Sequence, residues 1–140
     1  MKTTLFIIDD DEIFQEIMKM AALKFKSFEN IVHFRDAEVP LKHLVENKLV
    51  PEQLPDAIFI DLNIPVVNGW TFLDGLAKIY DTFSKKVWVY IVTTSLNRSD
   101  EARAKKYNFV EEFISKPVYG TKLMSLYQSI KDVEEASELA

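Results

Sequence analysis

Short apolar blocks along this chain alternate with longer stretches in which apolar residues recur every three or four positions. Thr3 to Ile8 is an apolar, β-branched run, which predicts a strand covered on both faces. From Asp11 the period changes. Phe14, Ile17, Met18, Ala21 and Phe25 recur at helical spacing and predict an amphipathic helix to about Lys26. Asn30 to Phe34 reads as a second short strand, followed by a helical stretch from Ala37 to Asn47 and a loop holding Pro51 and Pro55. Ala57 to Asp61 is a third strand that ends in an acid. The turn LNIPVVNG leads into a helix carrying Trp70, Leu73, Leu76, Ala77 and Tyr80. Val87 to Thr93 is the fourth strand, and a polar helix covers Ser99 to Tyr107. Val110 to Ser115 is the fifth strand, and Leu123, Leu126, Tyr127, Ile130 and Val133 mark a last amphipathic helix.

Five strands alternating with five helices predict an α/β fold: a doubly wound, five-stranded parallel sheet with helices on both faces. Such folds carry their sites at the carboxyl ends of the strands, near the switch in strand order. The unusual residues fall there. Asp9, Asp10 and Asp11 follow the first strand, Asp61 ends the third, Thr93, Thr94 and Ser95 end the fourth, and Lys116 and Pro117 follow the fifth. A length of 140 residues suits one domain spanning 1–140. Hydrophobic residues make up 48% and charged residues 28%, the balance of a soluble globular chain. A net charge of −5 argues against nonspecific DNA binding, since phosphate contact needs a basic face. No apolar run approaches the roughly 20 residues of a membrane span, and acids stand where a signal cleavage site would be, so a cytoplasmic location is expected. Without cysteine there is neither a disulfide framework nor a thiolate metal site.

Stacking like charges at a strand end costs stability unless something compensates them. Carboxylates converging on one spot form a hard-oxygen site suited to magnesium, which would cancel their repulsion. A lysine and a hydroxyl on neighbouring strand ends suit the oxygens of a phosphoryl group, and an aspartate beside the metal can attack phosphorus itself. The residues alone leave other roles open. Asp11 reads as a helix N-cap, and Asp9 and Asp10 taken alone are equally caps or metal ligands. Asp61 alone also reads as a strand-ending turn former, and Lys116 alone as a surface lysine. Gly69 is expected to supply a turn conformation before its helix. His33 and His43 are isolated, without metal-ligand spacing. Phe72, Phe83 and Trp88 are expected in the core, and Glu134, Glu135 and Glu138 on a solvated helix end.

Four motifs occur in order, IIDDD, IDLNIPVVNG, VTTS and FISKP, and over nearly its whole length the chain resembles a receiver domain of the bacterial response-regulator family. The resemblance implies a flavodoxin-like (CheY-like) sheet of strand order 2-1-3-4-5. It also implies Asp61 as phosphoacceptor, Asp9 and Asp10 as the magnesium-binding pair, and a backbone carbonyl ligand from Asn63. Thr93 takes the place of the hydroxyl that contacts the phosphoryl group, although the bulkier Thr94 beside it leaves a one-residue ambiguity. Lys116 matches the family lysine, with a cis bond to Pro117, and Phe113 matches the aromatic switch residue. The implied partners are a sensor histidine kinase or a histidine phosphotransfer protein upstream and an unidentified protein downstream. The expectation is a stand-alone receiver with no output domain and no enzymatic activity beyond self-phosphotransfer and self-dephosphorylation. Two alternatives compete. A degenerate receiver would serve as a constitutive binding module, but none of the acids or the lysine is missing. A phosphohydrolase of the haloacid dehalogenase type would need an acid where Asn63 stands, a cap and a longer chain.

Overall fold

Every apolar block becomes a strand of one parallel sheet in the computed structural model, which describes residues 2–139. The elements are β1 (Thr4–Ile8), α1 (Glu12–Lys24), β2 (Asn30–Phe34), α2 (Glu38–Glu46), β3 (Ala57–Ile60), α3 (Gly69–Ala77), β4 (Trp88–Thr93), α4 (Arg98–Ala104), β5 (Val110–Ser115) and α5 (Gly120–Leu139). The strand order is β2-β1-β3-β4-β5, as implied by the resemblance. Side chains alternate across a strand, so each strand feeds two cores. Phe6, Ile8, Ile58, Ile60, Val89 and Ile91 face one side, under α2, α3 and α4. Leu5, Ile7, Phe59, Tyr90, Val92 and Ile114 face the other, under α1 and α5.

Local chemistry sets the helix starts. The Asp11 carboxylate accepts from the Ile13 and Phe14 amides at 3.0 and 3.1 Å, satisfying donors that the first turn leaves free. Asn68 caps α3 in the same way, accepting from the Thr71 amide at 2.9 Å. Between β4 and β5 the register slips, pairing Val89 with Val110 but Tyr90 with Glu112. This bulge lets Val110 and Phe113, three positions apart, face the same core. Helices α3 and α4 are joined by a stack. The Trp70 ring lies 6.0 Å from that of Tyr107, with the Arg103 guanidinium 4.3 Å from its centre. The Tyr107 hydroxyl donates to Asp74 at 2.6 Å.

Several expectations need correction. Ile17 is 50% exposed, and the buried row of α1 is Phe14, Gln15, Met18 and Ala22. Phe14, Met18 and Ala22 of this row pack into the core that α1 shares with α5. Tyr80 leaves α3 for a single 3₁₀ turn, Tyr80–Thr82, from which its hydroxyl reaches the Val87 carbonyl at 2.6 Å. Phe83 and Trp88 are only half-buried, each packed against the edge of a core, Phe83 beside the α2–α4 layer and Trp88 beside the α1–α5 layer. Val133 is half exposed. At about 1.5 Å per residue α5 is roughly 30 Å long, longer than the strands it covers, so its last turns outrun the sheet. Gly69 does not have a positive φ; that conformation falls on Val66, at φ 66°. A branched residue in this region costs about 1–2 kcal/mol.

Candidate functional site

Parallel packing brings the carboxyl ends of β1, β3, β4 and β5 to one edge. Asp9 and Asp10 leave β1 there, and Asp61 leaves β3 with its amide donating to the Ile8 carbonyl at 3.1 Å. One oxygen from each of Asp9, Asp10 and Asp61 lies within 4.8 Å of the others. Lys116 reaches in from β5, its Nζ 2.7 Å from Asp9 Oδ2 and 3.4 Å from Asp61 Oδ2. The ammonium also sits 4.6 Å above the Phe14 ring, which walls this side of the site.

Burial divides the acids. Asp9 is 1% exposed, Asp61 is buried and Asp10 faces solvent. Burial pushes the Asp9 carboxyl up, against the pull of the Lys116 ammonium and the Asp11 amide, which donates to Asp9 Oδ1 at 2.9 Å. Burial alone would lower Lys116, but the Asp9 and Asp61 carboxylates outweigh it and hold the ammonium above its ordinary value. Asp61 Oδ1 accepts from the Asn63 amide at 3.3 Å, which fixes the carboxylate at the start of the β3–α3 turn. Gly69 closes that turn from the other side. A Cβ there would lie 2.4 Å from the Asp61 carbonyl oxygen and 2.7 Å from the Leu62 Cα. The residue is needed for close approach, not for a special φ.

The hydroxyl candidates separate clearly. Thr93 is fully buried at the end of β4, where its Oγ1 accepts from the Ser95 amide at 3.2 Å. Thr94 is exposed beyond the strand. Among the described residues Thr93 makes no hydrogen bond to Asp61; its tie to the site is its carbonyl, which accepts from the Lys116 amide at 2.9 Å. The Lys116–Pro117 bond is cis. Phe113 pairs in register with Ile91, is half-buried, and lines a groove of about 270 Å³ between α4 and β5 with Glu101, Ala104 and Lys105.

Gln15, not singled out in the sequence, and His33, read there as isolated, also reach the site. Gln15, on the buried row of α1, donates through Nε2 to the Asp9 carbonyl at 3.2 Å and to the Ile7 carbonyl at 3.3 Å. The His33 Nε2 lies 3.2 Å from the same Asp9 carbonyl. The Gln15 Oε1 is buried without a partner, which costs on the order of 1–3 kcal/mol. The one available signal was an amide on an apolar row. His43 instead holds the Gln53 carbonyl, at 2.7 Å, far from the acids.

The donor set fits a hard divalent cation. Three carboxylates stand against one ammonium, an excess of two negative charges. Asp10 has no hydrogen-bond or ion-pair partner of its own among the described residues. No described helix is long and apolar enough to cross a membrane.

Comparison with known proteins points one way. The family model for the response regulator receiver domain matches residues 5–128. Over 81 residues, 57% of the chain, the sequence is 32% identical to a sensor histidine kinase CheAY of Helicobacter pylori; this match spans 10% of that protein's length. A two-component response regulator from Cytophaga hutchinsonii superposes with a TM-score of 0.81 at 25% identity, covering 94% of this chain and 98% of its own. The REC domain of AraT, a response regulator from Geobacillus stearothermophilus, superposes at 0.74 with 19% identity, covering 99% of each chain. The Vibrio cholerae chemotaxis protein CheY4 does so at 0.71 with 15% identity, covering 93% of this chain and 99% of its own. The last two likenesses are of fold alone.

Proposed function

The chain belongs to the response regulator receiver family, and from that premise we propose that it is a phosphorylation-controlled switch of a two-component or phosphorelay system. Receiver domains work with histidine kinases, so the donor is the phosphohistidine of a sensor kinase or phosphotransfer protein. One observation carries the reading: three carboxylates and the Lys116 ammonium converge at one edge of the sheet. Asp61 is the nucleophile. Its carboxylate oxygen bonds to phosphorus while the P–N bond breaks, leaving its electron pair on the donor imidazole. Lys116, already 3.4 Å from Asp61, neutralises the incoming phosphoryl oxygens. Asp9, Asp10, Asp61 and the Asn63 carbonyl would hold Mg²⁺. When bound, the ion offsets the carboxylate repulsion and the charge that develops on the phosphoryl group.

The donor docks on α1. Ile13, Ile17, Met20 and Leu23 form a stripe along its outer face, with Leu23 82% exposed. The helix starts directly after the acids, so a partner seated on this stripe presents its histidine to Asp61. Output passes to a partner protein through Thr93 and Phe113. A phosphoryl group adds up to two negative charges and strong acceptors. These draw the Thr93 hydroxyl off the Ser95 amide, and the Phe113 ring turns toward the space vacated. This is a shift between two packings, driven only by preference for one of them.

Intact mass measurement after incubation with acetyl phosphate tests the chemistry. One phosphoryl group is expected with Mg²⁺ and none without it. An Asp61→Asn protein that still gained the increment would overturn the assignment of the acceptor.

A further inference from the structure

The ladder between β1 and β2 ends at the pair Ile8 and Phe34. One residue later the Asp9 amide still donates to the Phe34 carbonyl at 2.9 Å, but the Asp9 carbonyl has run past the paired strand. Two side chains take it instead. Gln15 Nε2 reaches it from α1 and His33 Nε2 from β2, each at 3.2 Å. The bond needs a proton on Nε2 of His33, which the neutral ring supplies in one tautomer. Gln15 also holds the Ile7 carbonyl at 3.3 Å. Carbonyls two apart point to the same side of a strand, so a single amide group spans both and extends β1 rigidly by one residue.

The position is an unusual one for an amide. Gln15 is 1% exposed, on a row that otherwise carries Phe14, Met18 and Ala22. An aliphatic side chain would pack there without stranding a polar atom, yet Gln15 leaves its Oε1 unpartnered. What the amide gains in return is its hold on the strand end that carries Asp9 and Asp10.

We propose that Gln15, together with His33, is a positioning residue for the cation site, fixing the Asp9 carbonyl so that the two acids face Asp61 before any metal arrives. This rests on the reading of Asp9 and Asp10 as magnesium ligands. Outer partners that orient metal ligands typically contribute about 10–100-fold in affinity.

Gln15→Met keeps the chain length and removes the donor. Calorimetric titration with MgCl₂ is expected to show a dissociation constant at least about 10-fold higher. The rate of labelling by acetyl phosphate should return to near the wild-type value once Mg²⁺ saturates. A loss that saturating Mg²⁺ does not restore would make Gln15 a merely structural residue. His33→Phe is expected to weaken the ion several-fold, and the double variant by more than the product of the two, since both donors share one carbonyl. Asp10→Ala separates the two levels of inference. If that protein binds Mg²⁺ as the wild type does, the metal reading itself fails. If it loses the ion while Gln15→Met keeps wild-type affinity, the positioning role is wrong and the metal reading survives. Should Gln15→Met not fold, wild-type affinity in His33→Phe overturns the proposal by itself.

Discussion

Lys116 is held between Asp9 and Asp61 with 9% of its side chain exposed, and its ammonium is raised above the ordinary 10.5. A cation raised on folding contributes stability that is fully present below its unfolded pKa and lost as pH rises through the folded value. The expected signature is a difference: wild type minus Lys116→Met, followed by urea melts of metal-free protein, stays constant from pH 7 to about pH 10 and shrinks above it. A difference that does not change up to pH 12 would remove the ion pair from the stability of the site. Asp61 and Lys116 were legible because each sits at a strand end inside a recognisable motif. Gln15 was not. Nothing in the spacing of a lone amide on an apolar row says which backbone carbonyl lies beneath it. For Gly69 the sequence suggests a turn conformation, whereas its role is close approach to the Asp61 carbonyl, which depends on tertiary packing.

Elements carry their own tests, beginning with α3. Its first residue, Gly69, meets backbone and not a yielding side chain, so Gly69→Ala must push α3 away from the β3 end. A loss of about 1–3 kcal/mol in denaturant melts is expected, together with slower labelling of Asp61 by acetyl phosphate. Wild-type values of both would show that the turn relaxes freely. For α1, Ile17→Glu changes a half-exposed position and should leave the melting temperature within a degree or two. Phosphotransfer from a phosphohistidine protein should fall about tenfold, the equivalent of about 1.4 kcal/mol, while labelling by acetyl phosphate stays unchanged. Equal losses with both donors would take the docking face off α1. The bounds of β2 and β5 were readable to the residue. The rotation of α1 was not, since Ile13, Ile17, Met20 and Leu23 make as good an apolar stripe as the row that is buried.

At the scale of the molecule, the order β2-β1-β3-β4-β5 puts α1 and α5 on one face and α2, α3 and α4 on the other. The acids lie at the seam between these layers, so a charge placed on Asp61 acts on both. The doubly wound parallel sheet followed from the alternation of strands and helices, and its strand order from the family resemblance; the stack that ties α3 to α4 did not follow from either, because Trp70 lies more than thirty positions from Arg103 and Tyr107. The stack has a further consequence. The chain has two tryptophans, one at each end of the sheet. Trp70 follows Gly69 beside Asp61 and lies against a guanidinium and a phenol from the α4 segment. Trp88 opens β4 at the opposite end, under the Lys86 ammonium 4.9 Å from its ring centre. Indole emission responds to nearby charge and to stacking, so any rearrangement of α4 that follows binding of beryllofluoride should change the quantum yield of Trp70 and leave Trp88 as an internal reference. The expected record is an emission change that survives Trp88→Phe and disappears in Trp70→Phe; the reverse assignment would place the rearrangement elsewhere. The unlabelled protein then serves as its own optical clock, and stopped-flow mixing can time the switch on the bench with no dye attached.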